Sequence, residues 1–220
     1  MSRPSECFAF ARRSLLLGSG ATIALAGCSS LIGPTKAPQL YVLRPAMPQA
    51  GSLPPVAWQL SVAAPEASAS LDSVRIALSR SSTTMDYFAN AAWPDRVPLL
   101  MQSAIVEAFE STGKIAAVQR DASGVGANYL LAMELRAFEA RYDGTTPSAK
   151  DAGGAPKAAI TLACNLLAVP EHKVVQSRAF THETPAARND MDAIVTAFNE
   201  AVAATLQDVV EWTLRAPRVG

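Results

Sequence analysis

The chain has 220 residues, 50% of them apolar and 17% charged, so it has ample surface to bury and is not a disordered acidic or basic protein. Nineteen basic residues balance nineteen acidic ones, which leaves no long-range field to draw the chain to nucleic acid. The one apolar run that could enter a bilayer spans about a dozen residues against the roughly 20 a crossing helix needs, which excludes an internal transmembrane segment.

Residues 1–14 carry Arg3, Arg12 and Arg13 against Glu6, and the apolar stretch Leu15–Ala26 follows. A basic arm, a short apolar run and small residues at its end describe a secretory signal peptide over residues 1–27. The alternative is a short buried helix. Gly18, Gly20 and Gly27 argue against it, because each glycine weakens a helix by up to about 1 kcal/mol. Leu25-Ala26-Gly27-Cys28 resembles the bacterial lipobox. That resemblance implies cleavage between Gly27 and Cys28, a diacylglyceryl thioether on the Cys28 sulfur, and an acylated new N-terminus. Several acyl chains, at about 0.8 kcal/mol per buried methylene, hold a protein stably where one chain would be marginal. Ser29, where an aspartate would signal retention, favours the outer membrane by resemblance to Gram-negative sorting signals. Arg12-Arg13-Ser14-Leu15-Leu16 is similar to a twin-arginine export motif, with ordinary secretory export the open alternative.

Cleavage leaves residues 28–220 with 16 basic and 18 acidic side chains. Cys7 departs with the signal and Cys28 is acylated, so Cys164 stands alone, inside an apolar run that makes it a poor nucleophile. An exported domain without a disulfide must be held by its core, which a chain of this length can supply.

Residues 28–39 contain Gly33, Pro34 and Pro38 and no apolar period, and read as a lipidated tether. A single domain then occupies residues 40–215. Leu40–Leu43 reads as a short strand closed by Pro45, and a Pro/Gly-rich stretch runs to Pro55. Val56–Val62, Val74–Leu78 and Thr83–Ala89 read as strands, with Val74, Ile76 and Leu78 on one face of the second. The first helix is capped by Asp95, accepts Pro98 in its first turn, and carries Val97, Leu100, Met101, Ala104, Ile105 and Ala108 as one buried stripe until Gly113 ends it. Another strand begins at Ile115.

Leu130–Tyr142 changes phase along its length. Glu134 and Arg136 are polar at even positions, Glu139 and Arg141 at odd ones, while the apolar set passes from Leu131, Met133 and Leu135 to Phe138, Ala140 and Tyr142. Side chains of a strand alternate faces, so one extra residue near Ala137, a β-bulge, is predicted. Gly144–Pro156 reads as an exposed loop joining two long antiparallel strands. Ala158–Val169 puts Ile160, Leu162, Cys164 and Leu166 on one face; Pro170-Glu171-His172 turns the chain into Val174–Thr184. Asn189 or Asp190 caps a final helix of about 24 residues, with Met191, Ile194, Val195, Phe198, Val202, Leu206 and Val209 along one stripe. The expected architecture is α+β: a mostly antiparallel sheet of about six to eight strands with two helices packed on one face.

No motif of catalysis emerges. His172 and His182 belong to no metal-binding pattern. No G-x-S-x-G elbow occurs. Ser111-Thr112-Gly113-Lys114 lacks the upstream glycine and the following hydroxyl of a phosphate loop, and Gly124-Val125-Gly126 lacks the third glycine of a dinucleotide turn. Glu134 and Glu139 read as solvated charges on a strand's polar face. The residues therefore describe an anchor, a tether and a non-enzymatic domain, with no cofactor or metal beyond the acyl chains on Cys28.

The lipobox, Tyr41-Val42-Leu43 soon after it, Arg75-Ile76-Ala77-Leu78, and the run Met85-Asp86-Tyr87-Phe88-Ala89-Asn90-Ala91-Ala92-Trp93-Pro94-Asp95-Arg96-Val97-Pro98 together resemble the ABC-type transport auxiliary lipoprotein family of PqiC-like intermembrane transport lipoproteins. Tyr129-Leu130-Leu131 and the long last helix fit the same pattern, and the resemblance covers roughly residues 25–213. The Ala/Gly-rich 144–156 loop departs from it. The resemblance implies a lipid-anchored protein on the periplasmic face of the outer membrane, beside a mammalian-cell-entry (Mce) type lipid transporter. Its partners would be the Mce-type periplasmic substrate-binding subunit and the ABC permease and ATPase. Tyr41, Tyr87, Phe88 and Trp93 are the candidate docking residues, as an exposed aromatic patch or, alternatively, as packing between sheet and helix. Homo-oligomerisation is left open. The competing readings are an outer-membrane lipoprotein hydrolase and a stand-alone lipid-binding lipoprotein with its own cavity.

Overall fold

Alternating side chains build nine strands among the described residues of the computed structural model, which are 37–49, 51, 53–121, 126–142, 154–169, 171 and 173–216. The strands are β1 (Gln39–Leu40), β2 (Val56–Val62), β3 (Glu66–Ala67), β4 (Arg75–Ser81), β5 (Thr84–Ala92), β6 (Ile115–Arg120), β7 (Tyr129–Arg141), β8 (Lys157–Ala168) and β9 (Lys173–Pro185). Helix α1 (Val97–Thr112) lies between β5 and β6, and α2 (Met191–Leu214) follows β9. Residues from Pro38 onward form one compact unit. Gly27, Cys28 and the tether up to residue 36 lie outside the described residues, as do Gly124, Val125, residues 143–153 of the predicted loop, Pro170 and His172.

The two helices and the α+β class are as expected, but the sheet is mixed rather than mostly antiparallel, and its strand number is slightly higher. β7 explains the difference. On one side it pairs antiparallel with β8 along its whole length, and β8 pairs antiparallel with β9. On the other side it takes three successive segments in parallel. Leu60–Val62 of β2 meet Tyr129–Leu131, Glu66–Ala67 of β3 meet Glu134–Leu135, and Ala77–Ser79 of β4 meet Glu139–Arg141. The chain thus climbs one edge of β7 in three steps. β5 then returns antiparallel to β4, and α1 is the crossover that parallel pairing requires, delivering β6 parallel to β2. Nothing local to any strand encodes which way its neighbour runs.

The predicted bulge is present. Leu135 pairs with Leu162 and Ala137 with Thr161, consecutive residues of β8, so Arg136 is the extra residue. Leu131, Met133 and Leu135 are buried before it, and Phe138 and Ala140 after it.

Three smaller expectations change. The Leu40–Leu43 strand shortens to β1, which pairs parallel with Ala91 and Ala92 of β5. Val74 is 41% exposed while Ile76, Ala77 and Leu78 are all buried, because register shifts on both sides of Ala77–Ser79 break strict alternation in β4. Arg96, not Asp95, occupies the N-cap of α1, with no side-chain cap; the Asp95 carboxylate accepts from the Arg96 N–H instead, and the helix start relies on proline in its first turn. Gly113 ends α1 at φ 58°, a left-handed conformation in which glycine has no Cβ to clash. Asp190 caps α2 by accepting from the Ala193 N–H, and this bond together with Arg188 holds its carboxyl below the usual range.

α1 packs on β2 and β6, α2 on β8 and β9, and the helices touch each other. Between them and the sheet lies an aromatic cluster. Trp93, just past β5, meets Phe138 of β7 and Phe198 of α2 edge-on at 5.9 and 5.5 Å between ring centres, and the two phenylalanines stack at 4.9 Å. Such arrangements favour aromatic pairs beyond simple burial.

Candidate functional site

From Tyr41 to Gln49 the chain lies along α2 as a strap, bonded to it at Asn199 and Gln207. From Tyr41 to Met47 the side chains alternate, with Tyr41, Leu43, Pro45 and Met47 partly buried and Val42, Arg44 and Ala46 exposed. Pro45 and Pro48 lack N–H groups and could not complete a strand ladder. Three of the remaining donors are satisfied elsewhere. The Tyr41 N–H donates to the Ala92 carbonyl at 2.9 Å. The Arg44 N–H donates to Asn199 Oδ1 at 2.6 Å and the Gln49 N–H to Gln207 Oε1 at 2.9 Å, both acceptors on α2. Eight helical residues rise about 12 Å, a span that the five steps from Arg44 to Gln49 cover with slack. Sequence reasoning missed this strap. The only signal was the every-second-residue pattern Tyr41, Leu43, Met47, which the prolines disguised as an irregular linker.

The predicted docking residues do not form one patch. Trp93 is 1% exposed and belongs to the aromatic cluster. Tyr87 and Phe88, consecutive on β5, are each half-buried. The Tyr87 hydroxyl donates to the Ser70 carbonyl at 3.1 Å, and the Arg75 guanidinium lies over its ring at 3.6 Å. Tyr41 starts the strap beside Ala92. β1–β5 pairing therefore gathers Tyr41 and Trp93 at one end of the domain, while Tyr87 stands further along β5. Large aliphatic side chains exposed near that end are Leu40, Val42 and Val74.

A groove of about 850 Å³ opens between the β4–β5 turn and the end of β7, lined by Ser79, Ser81, Thr84, Met85, Glu139 and Arg141 among others. Its charges are already matched: Arg141 pairs with Glu139 at 2.9 Å and also with Glu183. His182 Nε2 meets Asp208 Oδ2 at 3.0 Å and ties β9 to α2. Among the described residues no group of three His, Cys, Asp or Glu side chains could hold a metal ion, and no helix is long and apolar enough to cross a membrane.

Cys164 faces the core at 1% exposure, and burial pushes its thiol up to about 12. The thiolate is the reacting species, so a thiol probe at pH 8 is expected to label native Cys164 at least about a hundredfold more slowly than the unfolded chain. Equal rates, read by mass shift with time, would show that the β8 face opens in solution.

A family model described as ABC-type transport auxiliary lipoprotein component matches residues 41–210. The crystal structure of a Xanthomonas campestris protein of family DUF330 is similar at 32% identity with a TM-score of 0.73, the match covering 80% of this chain and 94% of that one. An uncharacterized protein of known structure is similar at 14% identity with a TM-score of 0.61, covering 81% and 99%. A PelC dodecamer from Paraburkholderia phytofirmans matches at 16% identity and a TM-score of 0.43, over 76% of this chain and 95% of that one. No curated protein matches the sequence.

Proposed function

The chain belongs to the ABC-type transport auxiliary lipoprotein family, and from that premise we propose that it is the outer-membrane-tethered adaptor of an Mce-type lipid transporter. It hangs by acyl chains on Cys28, reaches into the periplasm on a tether of residues 28–39, and docks the transporter's periplasmic subunit so that phospholipid passes between membranes. The ATPase and permease are separate chains in this reading. One observation carries it: the family match fills the compact unit that begins at Pro38, ten residues after the lipobox cysteine. Anchor, tether and adaptor domain thus follow one another along the chain without a gap.

Docking falls to the residues left at the surface. Tyr87 and Phe88 keep part of their rings exposed, with Met85 44% exposed on the same strand. Trp93 is buried against Phe138 and Phe198 and takes no part in that surface. A stand-alone lipid carrier would need an apolar cavity, whereas the groove beside the β4–β5 turn is lined by serine and threonine hydroxyls and a satisfied ion-pair network as well as by Met85 and Tyr142.

The test uses envelope fractions from cells making the wild-type chain or a Cys28→Ser variant. Wild-type protein is expected in the membrane fraction, and detergent extracts are expected to yield an Mce-type or permease subunit with it. The variant is expected to be soluble in the periplasm, because the domain has lost several acyl chains that each add about 0.8 kcal/mol per methylene. Membrane association of the variant at wild-type level, with no transporter subunit recovered in either case, would overturn the reading.

A further inference from the structure

We propose that two copies of this chain join edge to edge through β9, as an antiparallel pair with its two-fold axis at Ala179, so that one sheet runs through both domains. The inference goes beyond the adaptor reading and does not depend on it. Among the described residues β9 pairs with β8 on one side and with no strand on the other. One bond fixes which backbone groups face outward. The Ala186 N–H donates to the Pro156 carbonyl at 2.8 Å, and the pairing from Gln176 to Pro185 continues that register without a shift. Backbone groups of successive strand residues point to opposite sides. Arg178, Phe180, His182 and Thr184 therefore bond to β8, while Ser177, Ala179, Thr181 and Glu183 aim their N–H and C=O groups away from it. Such a row is a template for another strand.

Two other open edges of the sheet are poorer templates. β6 has only six residues. β5 takes five steps from Tyr87 to Ala92 against two in β4, holds Asn90 at φ 56°, and gives its Tyr87 N–H to Asp86 Oδ1 at 2.7 Å. β9 is interrupted only near its ends, by the register shift at Val175 and by Pro185. Between them the edge is complementary to itself. With the axis at Ala179, Ser177 faces the partner's Thr181, Ala179 the partner's Ala179 and Thr181 the partner's Ser177, and these pairs exchange about six hydrogen bonds. Charge and chemistry select this register. An axis at Arg178 opposes two guanidinium groups, and one at Phe180 sets Arg178 against the partner's His182. An axis at Thr181 brings the partner's Pro185, which has no N–H, opposite Ser177. Ser177, Ala179 and Thr181 are small and exposed, so a second strand meets no bulk. On the helix face Arg178 lies over the Phe180 ring at 5.0 Å, and Phe180 meets the half-buried Trp212 at 5.7 Å. With the axis at Ala179, Arg178 faces the partner's Phe180, and arginine with aromatic rings is the composition that interface centres favour. β5, which carries the docking residues, is separated from β9 by β4, β7 and β8, so both copies keep that surface free.

Cysteine pairing in the full chain reads the register. In a Cys7→Ser/Cys28→Ser background the remaining thiol, Cys164, is buried. Under mild oxidation in non-ionic detergent, Ala179→Cys is expected to form a disulfide-linked dimer, because facing Cα atoms of a hydrogen-bonded pair lie about 5.5 Å apart. Ser177→Cys and Thr181→Cys each stand about 13 Å from the same position in the other copy. Alone, each is expected to crosslink at least about tenfold more slowly than Ala179→Cys, whereas a mixture of the two crosslinks as readily. Light scattering of the background protein is expected to give the mass of two chains. Ala179→Lys, which sets two ammonium groups face to face, is expected to give the mass of one with an unchanged circular dichroism spectrum. A single-chain mass for the background protein, a mass above two chains from head-to-tail assembly, or equal crosslinking by all three single variants overturns the proposal. So does Ala179→Cys crosslinking in envelopes to a different protein and never to itself. Neither readout involves lipid or a transporter subunit, so failure of the adaptor reading leaves this result standing.

Discussion

Replacing Trp93 with alanine lowers the unfolding free energy by about 3–5 kcal/mol, the cost of emptying a large aromatic site in a packed core. Domains of ordinary size have about 5–15 kcal/mol in hand, so this variant sits near the edge of folding. The magnitude follows from what the ring joins. Trp93 is 1% exposed and bridges the end of β5, the stretch of β7 just beyond its bulge, and the middle of α2 through Phe138 and Phe198. Two distant parts of the sheet and one helix lose a common contact when it goes. Trp93→Phe separates ring packing from the indole N–H. Trp93 Nε1 is buried without a hydrogen-bond partner, so the smaller ring discards an unpaired donor while keeping most of the packing, and its cost stays below about 1.5 kcal/mol. Urea midpoints at constant m-value measure both. An alanine variant as stable as wild type would mean that the cluster is not what joins helix to sheet.

Deleting one residue from β7 has an effect that depends on where it falls. Loss of Ala132 puts Tyr129 and Leu131 out of phase with Met133 and Leu135. Tyr129 is 6% exposed and Leu131 is 0% exposed, and both pair with β2 on one side and β8 on the other. Either their side chains turn outward or both ladders slip, since a one-residue shift moves every side chain to the other face. At about 1.5–3 kcal/mol for each large apolar group returned to water, the loss is on the order of 5 kcal/mol, and the variant should fail to fold cooperatively. Loss of Arg136 should be far milder. Leu135 and Ala137 already face adjacent residues of β8, so the deletion closes the bulge and preserves both apolar sets. What goes is the local bend and an exposed pair with Glu134, worth at most about 1 kcal/mol. Thermal melts followed by circular dichroism distinguish the two. Equal damage from both deletions would refute the account of β7 as two phases joined at Arg136.

The bulge was legible because a strand's faces alternate strictly and four charged residues mark the shift. The second helix was equally legible, because a long stripe at helical spacing has one interpretation, though the sequence left its cap between Asn189 and Asp190 and the structure assigns it to Asp190. The cap of α1 was not, because Asp95 and Arg96 are neighbours and only backbone geometry decides which one occupies the N-cap. Among the candidate docking residues, aromatic character was visible but burial was not: Trp93 and Phe88 read alike along the chain, yet one sits in the core and the other reaches the surface.

The sequence by itself determined the lipobox pattern, the family resemblance, the α+β class, the change of phase along β7 and the buried stripe of the last helix, all of which depend on residues adjacent or regularly spaced along the chain. Only the tertiary structure decided the direction of β2, β3 and β4 against β7, the course of the strap along α2 and the burial of Trp93 between Phe138 and Phe198. Those features join positions tens to more than a hundred residues apart, as Arg44 and Asn199 are, and pairing energies between such positions become readable only once the chain has been brought back on itself.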